Sequence, residues 1–236
     1  MSTREAIVKG LIRRRYARHA TPGRGWGGAE RALRAGYRPE QLASLPAAVI
    51  ETWAGCGNLA ASADPADARV IVDLGAGCGL DAHLMRALAP HAQVIAIDLT
   101  PEMLAIEGVG NSAIARIAGD MEQLPLGKEV CDLVIANAAF NLALDQDRAF
   151  AEAWRILRPG GRLHMCELVR EGDLPAELQA DPLGWSTSLG GVAEERELVR
   201  TMRKAGFADV RVSGHRPFEP VIAVNVTAIK PAGTAH

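Results

Sequence analysis

The stretch Val70-Ile-Val-Asp-Leu-Gly-Ala-Gly-Cys-Gly79 decides the fold. Its β-branched residues lead into Asp73, and glycines then occupy every second position up to Gly79. The segment that follows, Leu80-Asp-Ala-His-Leu-Met-Arg-Ala-Leu88, has helical periodicity, so the sequence predicts a buried strand, a tight turn and a helix. Glycine permits positive φ angles and close approach of a ligand to the backbone. The turn ends at a helix N-terminus, where free N–H groups face a ligand.

A second predicted strand, Gln93-Val-Ile-Ala-Ile97, ends at Asp98. An acid at this position, about twenty residues past the glycines, is placed to accept hydrogen bonds from ribose hydroxyls. Nicotinamide and flavin enzymes use a similar arrangement. Here the pattern is Asp-x-Gly-x-Gly-x-Gly with an acid before the turn, and the unit begins only at residue 70. The later segment Ala118-Gly-Asp-Met-Glu-Gln-Leu-Pro125 resembles the adenine-side loop of class I S-adenosylmethionine (SAM) methyltransferases, which favours SAM over a dinucleotide.

The composition is that of an ordinary globular protein, with 236 residues, 48% hydrophobic and 23% charged. The net charge of −2 provides no bulk attraction to nucleic acid or anionic lipid, so a small-molecule substrate is expected. The four cysteines form no Cys-x-x-Cys pair, which disfavours a metal site. We find neither a secretory signal nor a long apolar run. These features predict a cytoplasmic protein, monomeric or weakly dimeric, that binds neither nucleic acid nor membrane.

The chain is predicted to comprise an N-terminal helical lid at residues 1–62 and a SAM-binding domain at 63–236. Residues 1–20 read as a basic amphipathic helix in which Lys9 and the neighbouring arginines form a solvated face. A loop rich in glycine and proline at about 170–191 is the predicted substrate loop.

Strands and helices alternate through the second region. The predicted strands lie at about 69–73, 93–97, 113–117, 131–136, 162–168, 208–213 and 221–228. The predicted helices lie at about 79–88, 101–108, 146–157 and 193–205. This alternation predicts an α/β fold with a Rossmann-like seven-stranded sheet and helices on both faces. The last two strands are expected to form an antiparallel pair at the sheet edge.

In open α/β sheets the ligand lies beyond the carboxyl ends of the strands. The predicted cofactor-binding residues occupy these strand ends: Asp73, Gly75, Ala76, Gly77, Gly79, Asp98, Leu99, Met103, Gly119, Asp120, Met121 and Asn137. We expect Asp98 to hold the ribose, Asp120 the adenine amino group, and Met121 to cover the ring. Asp120 also suits a helix N-cap, and the two roles are compatible.

The predicted catalytic residues are Asn137, Asn141 and Glu167. Methyl transfer is an in-line displacement, so the protein mainly has to align the nucleophile with the methyl carbon. Either asparagine is placed to orient a substrate or the SAM amino-acid group. Glu167 is the best-placed carboxylate if a hydroxyl or amine acceptor needs a base.

Several segments together resemble the arsenite methyltransferase family. They are Gly55-Cys-Gly-Asn58, Val72–Gly79, Val94–Met103, Gly119–Leu126, Ile135–Leu142 and Ile156–Arg162. In that family, cysteine thiolates bind trivalent arsenic. The resemblance implies that Cys56 is retained, whereas Ala138 and Ser188 stand where two other thiolates are expected. Alanine is no ligand and serine is a poor one for a soft centre, so arsenite is disfavoured as the substrate.

The predicted substrate residues are Cys56, Asn58, Phe140, Trp185 and Ser188, and no metal is expected. An organic acceptor is the first hypothesis. A soft-atom acceptor (arsenic, selenium, tellurium or a thiol), a non-catalytic SAM-binding protein and a nicotinamide-dependent oxidoreductase remain open alternatives.

Overall fold

Seven strands form a single sheet in the computed structural model, which describes residues 3–21, 23, 25, 27–106, 114–172 and 189–233. The strands are β1 Val70–Leu74, β2 Gln93–Asp98, β3 Ile114–Ala118, β4 Cys131–Asn137, β5 Leu157–Val169, β6 Ala208–Phe218 and β7 Val221–Ile229. Their order is β3-β2-β1-β4-β5-β7-β6. The first five run parallel, and β7 lies antiparallel between β5 and β6. The predicted α/β fold and its antiparallel edge pair are confirmed.

Nine helices and one 3₁₀ turn are present in the described part of the chain. They are α1 Thr3–His19, α2 Gly28–Arg34, α3 Pro39–Ala43, α4 Ala47–Thr52, α5 Leu59–Ser62, α6 Leu80–Leu88, α7 Pro101–Leu104, the 3₁₀ turn Phe140–Leu142, α8 Gln146–Ile156 and α9 Glu195–Lys204. Local sequence explains the start of α8, because the Asp145 side chain accepts a 3.0 Å hydrogen bond from the Arg148 amide.

Helices cover both faces of the sheet because successive strand residues point to opposite sides. One buried cluster joins Val72 of β1 to Phe150 of α8 and Leu198 of α9. A second cluster joins Ile71, the adjacent β1 residue, to Met85 of α6. The sheet is therefore the middle layer of three, as the sequence predicted.

The N-terminal helices share a core with the sheet-covering helices. A third buried cluster contains Leu42 and Val49 from this region together with Leu84 of α6 and Met103 of α7. The boundary at residue 62 remains a prediction, and the packing joins the two regions through this shared core.

Two strands are longer than predicted. β5 starts at Leu157 rather than at about residue 162, although Pro159, Gly160 and Gly161 favour a turn. The reason is that Lys230 exchanges backbone hydrogen bonds with Gly160 and Gly161. β6 continues to Phe218, which pairs with Val221 of β7. Pairing with β7 thus overrides the local turn signals. The predicted helix 101–108 is shorter than expected, because α7 ends at Leu104, where the Ala105 amide donates to the Pro101 carbonyl at 3.0 Å. Most of the predicted substrate loop lies outside the described residues.

Candidate active site

A cavity of about 940 Å³, its open mouth included, lies beyond the carboxyl ends of β1 to β4. Eleven of the twelve predicted cofactor residues line it, and only Gly79 does not. Lys9, Ile12 and Tyr16 of α1 close one side. The structure thus brings together residues from five separate segments of the chain at the place where α/β sheets bind ligands.

The glycine turn needs glycine for two distinct reasons. Gly75, Gly77 and Gly79 have φ angles of 69°, 55° and 81°, which disfavour other residues. A Cβ atom on Gly75 would also lie 2.5 Å from the Cβ of Ala139. The amides of Gly75 and Ala76 both donate to the Ile97 carbonyl, at 2.8 and 3.0 Å. The turn is thereby fixed between the ends of β1 and β2.

Asp98 closes β2 and faces the same turn. Its Oδ2 accepts a hydrogen bond from the Gly77 amide at 2.8 Å, and its Oδ1 accepts one from the Thr100 amide at 2.7 Å. Burial raises the pKa of Asp98, and these hydrogen bonds oppose the shift. A carboxylate has about four acceptor positions, so two amide contacts leave capacity for hydroxyl donors.

The carboxyl groups of Asp73, Asp81 and Asp98 all line the cavity and favour a cationic ligand. Asp73 is 2% exposed, and its Oδ2 is buried with no hydrogen-bond partner among the described residues. Burial and, next, the charges of Asp81 and Asp98 raise the pKa of Asp73 well above its ordinary value. Such a group is costly unless a donor or cation approaches it. A sulfonium and an ammonium group, both present in SAM, fit this requirement.

The loop after β3 is tied to α1. Asp120 Oδ1 accepts a 2.9 Å hydrogen bond from the Glu122 amide, and its Oδ2 lies 2.6 Å from Lys9 Nζ. The sequence placed Lys9 on a solvated face, but Lys9 is only 8% exposed and turns inward, whereas the apolar Ile7 is 52% exposed. Met121 and Asp120 both line the cavity, as the predicted adenine-side contacts require.

Asn137 holds the loop that contains Cys56. Its Oδ1 accepts from the amides of Cys56 and Gly57 at 2.8 and 3.3 Å, and its Nδ2 donates to the Gly57 carbonyl at 2.7 Å. The same Nδ2 lies 2.9 Å from Asp81 Oδ2. Asn137 therefore lines the cavity while also fixing the backbone that faces it.

Two arginines hold the outer side of this loop. Arg31 donates to the carbonyls of Ala54 and Gly55, both at 3.2 Å, and Arg216 donates to the Cys56 carbonyl at 3.3 Å. A Cβ atom on Gly57 would lie 2.5 Å from Arg216 Nη2, so the guanidinium packs directly on the glycine. Asn137 thus holds the amides of Cys56 and Gly57 and the Gly57 carbonyl, whereas the two arginines hold the carbonyls of residues 54–56.

Asp81 lines the cavity and was missed by the sequence predictions, as was its hydrogen-bond partner Tyr37, which lies behind the cavity wall. The Tyr37 hydroxyl donates to Asp81 Oδ1, and both side chains are buried. Burial raises the pKa of Asp81 to about 6, although hydrogen bonds from Tyr37, Asn137 and Trp53 lower it. One signal was available, since Asp81 is an acid in the first turn of the helix that follows the glycines.

Three predicted residues lie behind the cavity wall rather than on it. Phe140 stacks on Phe150 with ring centroids 4.2 Å apart, inside the core. Asn141 is 2% exposed in the 3₁₀ turn. Glu167 accepts from the amides of Phe140 and Leu168, each at 2.9 Å, and burial raises its pKa to about 7. The geometry thus gives Glu167 a turn-stabilising position away from the cofactor cavity.

The remaining predicted substrate residues either have structural roles or lie outside the residues that the structure describes. Burial and, next, Cys166 and Glu167 raise the pKa of the Cys56 thiol well above its ordinary value. Asn58 caps α5, accepting from the Ala61 amide at 3.2 Å. Trp185 and Ser188 lie outside the described residues. Ala138, where the family resemblance implies a cysteine, lines the cavity and has a φ of 53°.

The described residues contain no group of three or more His, Cys, Asp or Glu side chains that suits a metal ion. Within the same residues, every helix is too short or too polar to span a membrane.

Comparison with known proteins identifies the domain. Residues 72–165 match a family model described as a methyltransferase domain. The chain carries a class I methyltransferase domain. The chain is 32% identical over 227 residues to arsenite methyltransferase of Halobacterium salinarum, an alignment that covers 86% of this chain and 58% of that protein. It is 34% identical over 171 residues to malonyl-[acyl-carrier protein] O-methyltransferase of Methylococcus capsulatus, an alignment that covers 68% of this chain and 60% of that protein.

A solved structure agrees. An arsenic(III) S-adenosylmethionine methyltransferase from Chlamydomonas reinhardtii superposes with a TM-score of 0.70 at 26% identity, covering 81% of this chain and 72% of that one. The resemblance to arsenite methyltransferases is confirmed, and SAM is the cofactor of this methyltransferase domain. The chain spans less than two thirds of the length of the curated relatives described above.

Proposed function

We propose that this chain transfers the methyl group of SAM to a small organic acceptor. The observation that carries the proposal is the character of the cavity wall beside Asn137. Ala138 and Ala139 line it, and Cys56 and Cys166 do not. Cys78 does line the cavity, but its thiol donates to the Val49 carbonyl at 3.2 Å. The thiolate set that arsenic requires is therefore missing from the described wall.

The proposed roles of the residues follow from their positions. Asp98 would accept from the ribose hydroxyls, and Met121 would lie on the adenine ring. Asp73 would face the cationic part of the cofactor, because its buried Oδ2 has no hydrogen-bond partner among the residues that the structure describes. Bound SAM supplies an electrophilic methyl group, and the protein supplies alignment and exclusion of water. Of the predicted catalytic residues, only Asn137 lines the cavity, so alignment is favoured over proton transfer to Glu167.

The test is formation of S-adenosylhomocysteine (SAH) from SAM across a panel of acceptors. The panel includes phenols, amines, carboxylic acids, thiols and arsenite, because the named relatives methylate arsenite and a carboxyl group held by a carrier protein. Turnover with an organic acceptor and none with arsenite supports the proposal. Turnover with arsenite alone contradicts it.

A second candidate is methylation of a soft atom. Two observations favour it: the similarity to arsenite methyltransferases, and the burial of Cys56, Cys166 and Ala138 in one cluster. It predicts that arsenite raises the melting temperature of the protein and that Cys56→Ser removes this effect. A melting temperature that is unchanged by arsenite excludes arsenic as the soft atom, and the same experiment with selenite, tellurite and a thiol tests the other acceptors.

The same panel of acceptors distinguishes an enzyme from a non-catalytic SAM-binding protein, because a non-catalytic protein would bind the cofactor without forming SAH. The monomeric or weakly dimeric state and the cytoplasmic location belong to the proposal. Light scattering of the purified chain tests the former.

A further inference from the structure

One buried cation connects α1 to the loop after β3. Lys9 Nζ lies 2.6 Å from Asp120 Oδ2, 2.7 Å from Glu122 Oε2 and 3.1 Å from Glu5 Oε1. Lys9 is 8% exposed and Glu122 is 3% exposed. Lysine and glutamate are almost never buried this far unless they are paired. The contact is therefore a built feature of the fold rather than a surface ion pair.

The other oxygen of Glu122 reaches a third segment. Glu122 Oε1 accepts from the amides of Leu144 and Asp145, at 2.8 and 3.3 Å. These residues directly follow Leu142 and Ala143, which line the cavity. One carboxylate thus binds α1 through one oxygen and, through the other, the backbone that directly follows this part of the cavity wall.

The same lysine also borders the cavity. Lys9 lines the cavity together with Ile12 and Tyr16, one and two helical turns further along α1. The helix packs against α7, which also contributes Met103 to the cavity wall. Because Lys9, Ile12 and Tyr16 all line the cavity, α1 lies against the space that a bound cofactor would occupy.

We propose that Lys9 and Glu122 form a latch that positions α1 over the bound cofactor and, through Leu144 and Asp145, sets the position of the cavity wall at Leu142 and Ala143. The proposal rests on the assignment of SAM as the cofactor. Lys9 is a positioning residue in this account, because it acts through the helix and the loop rather than on the reacting atoms.

Electrostatics explain why a lysine is needed. Without its ammonium group, Glu5, Asp120 and Glu122 would be left as three neighbouring acids. Burial lowers the pKa of Lys9, but hydrogen bonds to Asp120, Glu122 and Glu5 outweigh it, so the pKa is raised and the charge is retained. Removing one partner of a buried ion pair leaves an uncompensated charge. The least costly response is for the helix to move away and admit water.

The experiment compares Lys9→Met with Arg13→Met, an exposed position on the same helix. We expect Lys9→Met to raise the SAH dissociation rate at least about five-fold, a typical coupling between sites. Arg13→Met should leave the SAH dissociation rate at its wild-type value. Lys9→Arg, which keeps the positive charge, should have a rate close to that of the wild type. The rate is measured by stopped-flow displacement of SAH with excess SAM.

A second readout separates a latch from a purely structural role. In the wild type, SAH should slow amide hydrogen exchange in peptides from both α1 and residues 143–146. In Lys9→Met, the exchange at 143–146 should no longer respond to SAH, although the glycine turn still does. This measurement needs no acceptor, and its wild-type arm applies even when the variant does not fold.

The outcomes are distinct. Protection confined to the glycine turn in the wild type overturns the latch, as does an SAH dissociation rate in folded Lys9→Met equal to that of the wild type. Failure of the wild type to bind SAH by calorimetry overturns the cofactor assignment and the latch with it. SAH binding with a working latch but no turnover on the acceptor panel leaves the latch supported and rejects only the proposed function.

Discussion

Asn137 Oδ1 accepts a 2.8 Å hydrogen bond from the backbone amide of Cys56. The contact joins the end of β4 to a loop 81 residues earlier in the chain. It shows that the strand-end amide, which the sequence predicts to contact the cofactor, holds the loop that contributes Gly55 to the cavity wall. Because Asn137 additionally donates to Asp81, it connects that wall to the first turn of α6.

Asn137→Ala is expected to lower the free energy of unfolding by about 1–3 kcal/mol, because it leaves buried loop amides without an acceptor. SAM affinity should fall as well, since the loop of Cys56 is released. Urea unfolding and calorimetry provide the measurements. Gln93→Ala, which removes an exposed amide, is the control and should change neither quantity.

Asp98→Ala should weaken SAM binding by roughly 1–3 kcal/mol through lost charge-assisted hydrogen bonds. The substitution also releases the amides of Gly77 and Thr100. Calorimetric titration measures the change in SAM affinity. The affinity of Asp98→Asn, which keeps one acceptor oxygen, should lie between those of the wild type and Asp98→Ala. Equal affinity in Asp98→Ala and the wild type would mean that the ribose contact has been misplaced.

Gly75→Ala should destabilise the protein more than Gly172→Ala. Both glycines have left-handed backbones, with φ of 69° and 76°, so the conformational strain of about 1–2 kcal/mol is shared. Only at Gly75 would the added Cβ meet a neighbour, Ala139, at 2.5 Å. Thermal unfolding gives the comparison, and SAM binding should be lost in Gly75→Ala alone. Similar melting temperatures for the two variants would contradict the close-approach argument.

The buried carboxyl of Glu167 should make stability depend on pH. Burial raises its pKa from an ordinary 4.5 to about 7, so between these values the folded state binds the proton more tightly than the unfolded state. The contribution of this group to the free energy of unfolding therefore falls as pH rises from about 4.5 to about 7, by at most about 3 kcal/mol. Glu167→Gln should show a smaller loss of stability between pH 5 and pH 8 in urea unfolding. An identical loss of stability in the wild type and Glu167→Gln would contradict a raised pKa of Glu167.

Features encoded in consecutive residues were predictable from the sequence. The glycine turn, the acid at the end of β2 and the alternation of strands and helices each depend on a short pattern, and eleven predicted cofactor residues line one cavity. Strand ends meet at one sheet edge, so position along the chain was enough to group them.

Contacts between distant segments were not predictable. Lys9 reaches Asp120 across 111 residues, and nothing in the helical pattern indicates that this lysine turns inward. Tyr37 meets Asp81 across 44 residues in the same way. Phe140 and Glu167 were assigned to the site because they lie near strand ends, but the 3₁₀ turn directs Phe140 into the core. Side-chain direction in such a turn depends on packing that a single sequence does not contain.

The most direct test of the central claim is calorimetric titration of the wild-type chain with SAM and with SAH, each with and without arsenite. The account predicts that both ligands bind at one site and that arsenite changes neither affinity. Absence of binding by either ligand would contradict the cofactor site, and arsenite coupling that Cys56→Ser removes would contradict the organic acceptor.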